Sequence, residues 1–374
     1  MNAYSAQSRA PAAGPHAMSP PVSVGADTAS VLLVDDSAFV RMMYQERWLR
    51  HGWRVLAAHD GPQALARWRD FDPDLITLDV TMPGMNGVEV AAALRQAGYG
   101  GVLVMLSAAT TAGAQITFAA LAAGANDFVS KPQCYDDIDA AVDLVLQKYA
   151  AIRSSRHPIT SSSRSAPAAI RRPLRGLCLA ASTGGPQTLA DLLEGLPPPA
   201  FPVMIVQHMP AGFTAPFAAR LARLTGWRIQ EAPPDGTRVP WRSVDAVIAA
   251  GGRHLRVSAT EAWSVTGERL HGVIPSVDVT VRDAVKVWGA RFCIVVLTGM
   301  GDDGALEIRD AHTAQALVVA ESPETAVVYG MPRAVVEGGA ADVVWPLPDI
   351  RRWLAQSLPG PQHTGHLSTQ SSNR

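Results

Sequence analysis

Ten short runs along the chain are apolar at nearly every position, and amphipathic or polar segments separate them. Five lie in the first half: "VLLVD" (31–35), "RVLAA" (54–58), "LITLD" (75–79), "VLVML" (102–106) and "DFVS" (127–130). Five lie in the second: "LCLAA" (177–181), "VMIVQ" (203–207), "AVIAA" (246–250), "FCIVVL" (292–297) and "ALVVA" (316–320). Continuous runs of Val, Ile and Leu that alternate with helix-period segments predict parallel strands covered by helices on both faces. The fold class is therefore α/β, in two blocks that do not resemble each other as a repeat. Residues 151–173 are dominated by Ser, Arg and Pro and predict a flexible linker. Residues 1–29, rich in Ala, Pro and Ser without a continuous apolar run, and the polar residues 359–374 predict a disordered leader and tail. The two folded domains are thus expected over 30–150 and 174–358.

Composition narrows the function without naming it. A chain of 374 residues with 48% hydrophobic and 17% charged residues has room for two cores. A formal net charge of −1 gives no general attraction to nucleic acid or an anionic membrane. No apolar stretch approaches the ~20 residues that cross a bilayer. Cys134, Cys178 and Cys293 are widely spaced and lie in or near apolar segments. They read as reduced, buried thiols of a cytoplasmic protein, without metal-ligand spacing.

The ends of the predicted strands carry the chemistry, because open parallel sheets bind ligands outside their carboxyl edge. In the first block the strands lead to Asp35 and Asp36, to Asp79, to Ser107, and to Lys131 followed by Pro132. Carboxylates gathered at one edge repel unless a cation joins them, and an all-oxygen set suits Mg²⁺. A lysine and a hydroxyl nearby fit phosphoryl transfer to a carboxylate, with Asp79 as the nucleophile.

These residues stand in "VLLVDDSAFVRMM", "LITLDVTMPGMNGVE", "MLSAATTAGA" and "AGANDFVSKP". Over roughly 30–150 the block resembles the receiver domain of two-component response regulators. The resemblance implies a flavodoxin-like sheet of five parallel strands and phosphorylation of Asp79 by a partner histidine kinase. It further implies Mg²⁺ bound by Asp36, Asp79 and the Thr81 carbonyl, with Asp35 completing the acidic pocket. Ser107 and Lys131 would carry the phosphoryl signal to the outer face.

The second block contains "CLAASTGGP" (178–186). Ser182 follows a strand, and Pro186 suits the first turn of a helix whose Leu189, Leu192 and Leu193 face a core. Gly184 and Gly185 leave the helix N–H groups open to an anion, as an attacking serine with an oxyanion site requires. The next strand ends at His208 in "QHMP", and "CIVVLTGMGDDGA" leads from another strand to Asp302 and Asp303. A hydroxyl, an imidazole and a carboxylate at three strand ends are the parts of a Ser-His-Asp site. Position leaves Asp302 and Asp303 equivalent. His254 and His271 lie in turn-rich stretches without a strand end. No helix-turn-helix pattern or basic recognition helix favours a DNA-binding output.

"ASTGGPQTL", "IVQHMPAGFTAPFAARL", "GGRHLRV", "PSVDVTV", "LTGMGDDGA" and "VVYGMPRAVVE" resemble the catalytic domain of the CheB family of chemotaxis methylesterases, from about Leu177 to Leu347. The resemblance implies hydrolysis of glutamate methyl esters on methyl-accepting chemoreceptors and deamidation of certain receptor glutamines, with no cofactor for the ester step. It implies Ser182 as nucleophile, His208 as general base and Asp303 as the orienting acid, with the Met300 N–H in the oxyanion hole. Ala250 and the run "VVAESPETAVVYGMP" depart from the family's usual residues, and "ALEIRDAHTAQ" lacks its usual glycine. A catalytically silent phosphoryl sink or scaffold is the alternative reading.

Overall fold

The computed structural model describes residues 28–155 and 172–358. The expected leader and tail, and most of the expected linker, lie outside the described residues. The first domain builds the strands β1 (Ser30–Val34), β2 (Arg54–Ala58), β3 (Leu75–Asp79), β4 (Val102–Ser107) and β5 (Asp127–Ser130) into one parallel sheet, in the order β2-β1-β3-β4-β5. Its helices are α1 (Ala38–Arg50), α2 (Gly61–Phe71), α3 (Gly87–Gln96), α4 (Thr111–Ala122) and α5 (Ile138–Ser155). Local chemistry sets their starts: Asp60 Oδ1 accepts from the Gln63 N–H, and Asn86 with Glu89 forms a capping box.

Two expectations are corrected here. Helix α5 runs on to Ser155, five residues into the stretch read as linker. It does so because Ile152 is buried in the core and Arg153 pairs with Asp74 at 3.2 Å. Cys134 is exposed, because it lies in the loop after β5 and its thiol bonds to Asp137 Oδ2 at 3.2 Å. Cys178 and Cys293 are buried as expected.

The second domain is a seven-stranded parallel sheet. Along the chain come β6 (Gly176–Ala181), α6 (Gly185–Leu193), β7 (Val203–Gln207), α7 (Thr214–Thr225), β8 (Ile229–Glu231), β9 (Val239–Pro240) and β10 (Ala246–Ile248). Next are β11 (His254–Val257), β12 (Glu261–Val265), α8 (Val277–Trp288), β13 (Phe292–Val296) and α9 (Ala305–Thr313). The described residues close with β14 (Leu317–Glu321), α10 (Met331–Glu337), β15 (Val343–Trp345) and α11 (Leu347–Ser357). The sheet order is β15-β14-β13-β6-β7-β10-β8, and β11, β12 and β9 form a separate antiparallel sheet.

Alternation along β6 explains why its run is apolar throughout. Leu177, Leu179 and Ala181 enter one core, while Cys178 and Ala180 enter the other. The first of those cores continues into the N-terminal domain. Phe118 of α4 lies 5.2 Å from Phe217 of α7, and Phe128 of β5 lies 4.6 Å from Phe213, ring centre to ring centre. Arg220 caps this seam by donating to the Phe118 carbonyl. Leu179→Ala is expected to lower the unfolding free energy by about 2–5 kcal/mol, read from the urea midpoint. Leu306→Ala, at an exposed position of α9, is expected to change it by less than about 0.5 kcal/mol.

Candidate active site

Sheet register brings the carboxyl ends of β6, β7 and β13 side by side. Ala181 pairs with Gln207, and the His208 N–H donates to the Ala181 carbonyl at 3.0 Å. The Ser182 N–H donates to the Thr298 carbonyl at 2.9 Å, which ties the end of β6 to the end of β13. A Cβ added at Gly299 would stand 2.9 Å from Ser182 Cβ, so only glycine fits beside the serine. Gln207, almost fully buried, donates from Nε2 to the carbonyls of both Ser182 (2.9 Å) and His208 (3.0 Å). One amide thus clamps the two candidate residues together. The sequence signal for it was a polar residue closing an apolar strand.

His208 Nε2 lies 2.8 Å from Asp303 Oδ2, with both side chains nearly inaccessible. An ionised carboxylate only accepts, so Nε2 carries the proton and Nδ1 the lone pair. Nδ1 is buried and has no hydrogen-bond partner among the described residues. Asp303 also accepts from Ser276 Oγ at 2.6 Å and from the Val277 N–H at 2.7 Å. Burial pushes the Asp303 carboxyl up, and the hydrogen bonds from His208, Ser276 and Val277 more than offset it, leaving it below its usual range. Asp302, adjacent in sequence, is exposed and faces His271 Nδ1 at 3.3 Å. Geometry therefore separates two aspartates that position could not.

Around this rim, Met300 follows Gly299, and its N–H makes no hydrogen bond among the described residues. Gly184 and Gly185 are closely packed by the protein itself. A Cβ at Gly184 would stand 2.6 Å from Val327 Cβ, and one at Gly185 would stand 2.0 Å from Gln207 Oε1. The pair leaves room for protein side chains packed behind the serine. His254 is not in a turn: it opens β11, buried, with Nδ1 accepting from the Ser276 N–H at 3.2 Å. His271 binds Asp278 at 3.0 Å.

The first domain gathers its own acidic pocket. Carboxylate oxygens of Asp35, Asp36 and Asp79 lie within 4.8 Å of one another, and Lys131 Nζ bridges Asp35 Oδ2 and Asp79 Oδ2 at 2.7 Å each. Burial, with Asp35 adding to it, pushes the Asp79 carboxyl up despite the lysine. Burial acts to lower Lys131, but Asp35 and Asp79 raise it further. Thr81 is exposed beside the pocket, its N–H donating to Asp79 Oδ1 at 3.1 Å. Ser107 is buried, and its hydroxyl engages Thr117 Oγ1 at 2.7 Å. The all-oxygen donors and the crowded negative charge fit a hard divalent cation.

Residues 177–354 match the CheB methylesterase family, and residues 31–143 match the response regulator receiver domain. A protein-glutamate methylesterase/protein-glutamine glutaminase of Symbiobacterium thermophilum is 37% identical over 354 residues, covering 88% of this chain and 96% of that one. The protein of the same name from Geobacillus kaustophilus is 37% identical over 349 residues, covering 88% and 99%. That from Nitrosomonas europaea is 35% identical over 350 residues, covering 88% and 97%. The chain belongs to the CheB methylesterase family.

In this family member the receiver lies over the rim just described. Val328 enters the receiver's core, and Met300 and Val327 pack against it. Lys148 of α5 pairs with Asp127 and reaches Thr183 Oγ1, the residue after Ser182, at 3.4 Å. The Tyr329 N–H donates to Ser155 Oγ at 3.0 Å.

Behind the rim, Glu321 at the end of β14 accepts from the Thr298 N–H at 2.8 Å and from Thr325 Oγ1 at 2.9 Å. Burial pushes its carboxyl from 4.5 up to about 7. The folded value exceeds the unfolded one, so the native protein holds an extra proton between them and loses stability as pH rises through that window. The loss totals about 3 kcal/mol above the folded value. Between pH 5 and pH 8, wild type is expected to lose about 2–3 kcal/mol more than Glu321→Gln. Urea titrations at the two pH values measure this, and equal losses would remove Glu321 from the account.

Proposed function

We propose that this chain hydrolyses glutamate methyl esters on methyl-accepting chemoreceptors, releasing methanol, and deamidates receptor glutamines by the same route. The reading rests on one observation, the buried His208–Asp303 pair at the strand-end rim beside Ser182. Asp303 orients the imidazole and fixes its proton on Nε2, so Nδ1 is the atom that takes the Ser182 proton. Ser182 Oγ bonds to the ester carbonyl carbon while its proton passes to His208. The developing oxyanion is stabilised by backbone N–H groups at this corner, that of Met300 among them. Collapse breaks the bond to methoxide, which leaves as methanol with the proton from His208. Water then loses a proton to His208 and attacks the acyl-enzyme; the bond to Ser182 Oγ breaks, the serine takes the proton back from His208, and the glutamate is released. With a glutamine substrate the leaving group is ammonia.

Asp79 is the phospho-acceptor, and a histidine kinase is the donor. Mg²⁺ would be held by Asp36, Asp79 and the Thr81 carbonyl, with Asp35 completing the pocket; it supplies positive charge to the phosphoryl oxygens. Lys131 holds Asp35 and Asp79 in the unphosphorylated arrangement. It stands one residue after β5, whose Phe128 packs on Phe213 of the esterase. A phosphoryl group changes the charge that Lys131 and Ser107 face. The switch opens only to the extent that phosphorylation favours an undocked receiver over the docked one.

Two outcomes test this reading. Ser182→Ala is expected to lower methanol release from methylated receptor membranes at least about a thousandfold; near-normal release would remove the serine from the mechanism. The fragment 173–358 is expected to exceed the unphosphorylated full chain in the same assay, and equal rates would argue against occlusion.

A further inference from the structure

A serine that opens a helix ordinarily turns its hydroxyl back to accept from the helix's own N–H groups. Ser276 stands at that position of α8 and makes no capping bond. Its hydroxyl, fully buried, donates instead to Asp303 Oδ1 at 2.6 Å. The helix end is satisfied from outside, because Asp303 Oδ2 accepts from the Val277 N–H at 2.7 Å. A local preference has been given up, and the group released by it is aimed at the carboxylate that orients His208.

The backbone of Ser276 is itself fixed. Its N–H donates to His254 Nδ1 at 3.2 Å, which requires that nitrogen to be unprotonated. His254 Nε2 then carries the proton and donates to the Glu268 carbonyl at 2.8 Å. Gly267 packs close against the ring, since a Cβ there would stand 2.6 Å from its Cδ2.

We propose that Ser276 is a positioning residue for ester hydrolysis: it pins Asp303 Oδ1 so that Oδ2 alone faces the His208 imidazole, and His254 holds Ser276 in place. The inference rests on the roles proposed above for Ser182, His208 and Asp303. Without the Ser276 hydroxyl, the bonds from His208 and Val277 both fall on Oδ2, Oδ1 loses its donor, and the carboxylate is held at one oxygen in place of two. The hydroxyl also draws charge from the carboxylate. Its loss leaves more negative charge beside the imidazole and favours the imidazolium, which is inactive as a base.

The test compares full-length wild type, Ser276→Ala and Ser276→Thr in methanol release from methylated receptor membranes, with phosphodonor present, across pH. Ser276→Ala is expected to lose about 10–100-fold in kcat with KM little changed, and to shift the acid limb of its profile to higher pH. Ser276→Thr, which keeps the hydroxyl, is expected to recover most of the rate. Should the alanine variant not fold, Ser276→Cys keeps the volume with a weaker donor and carries the same expectation. Wild-type kcat and an unmoved acid limb in folded Ser276→Ala would overturn the proposal, even with a lowered Tm. An inactive wild type would instead overturn the esterase reading beneath it.

Discussion

A carboxylate taken out of water must be met by donors, and Asp303 is met by three from two distant parts of the chain: His208 Nε2, and Ser276 Oγ with the Val277 N–H. That requirement ties the ends of β7 and β13 to the start of α8. It holds the imidazole in one tautomer and places the rim where Ser182 emerges from β6. Hydrogen bonds to an ionised acceptor are stronger than neutral ones, and in a buried site water does not compete for them.

The same rim is where the receiver docks, and the docking surface is continuous with a core. Phe118 and Phe128 belong to the receiver's packing, yet their rings meet Phe217 and Phe213 across the domain boundary. Among the described residues, polar contacts between the domains near Ser182 are few beside this apolar seam: Lys148 to Thr183, and Ser155 to Tyr329. An apolar seam of this kind gives the docked state its affinity. The acidic pocket adjoins it through β5, which carries Phe128 and leads to Lys131. Burial raises Asp79 despite Lys131, so added negative charge is disfavoured in that pocket.

Much of this was legible in the sequence, and the parts that were not share a cause. Strands buried on both faces read plainly because every position is apolar, as in β6 and β7. The missed strands are short or half-exposed: β8 holds three residues ending in glutamate, and β12 alternates buried and partly exposed positions. Ser182, His208 and the acidic pocket could be read because each closes a strand. Asp302 and Asp303 could not be told apart, since neighbours in a loop differ only in the direction they face. His254 was misplaced because its partner, Ser276, lies 22 residues away. Helix α5 outran its expected end through the burial of Ile152, which no local composition announces.

The central claim is that one nucleophilic hydroxyl stands at this rim with the receiver over it. Its most direct measurement is covalent capture by a fluorophosphonate, with the modified peptide located by mass spectrometry, on the full chain with and without phosphoramidate and Mg²⁺. The account predicts a single adduct on Ser182, formed faster once Asp79 is phosphorylated. An adduct on another residue, or a Ser182 rate indifferent to phosphorylation, would contradict it.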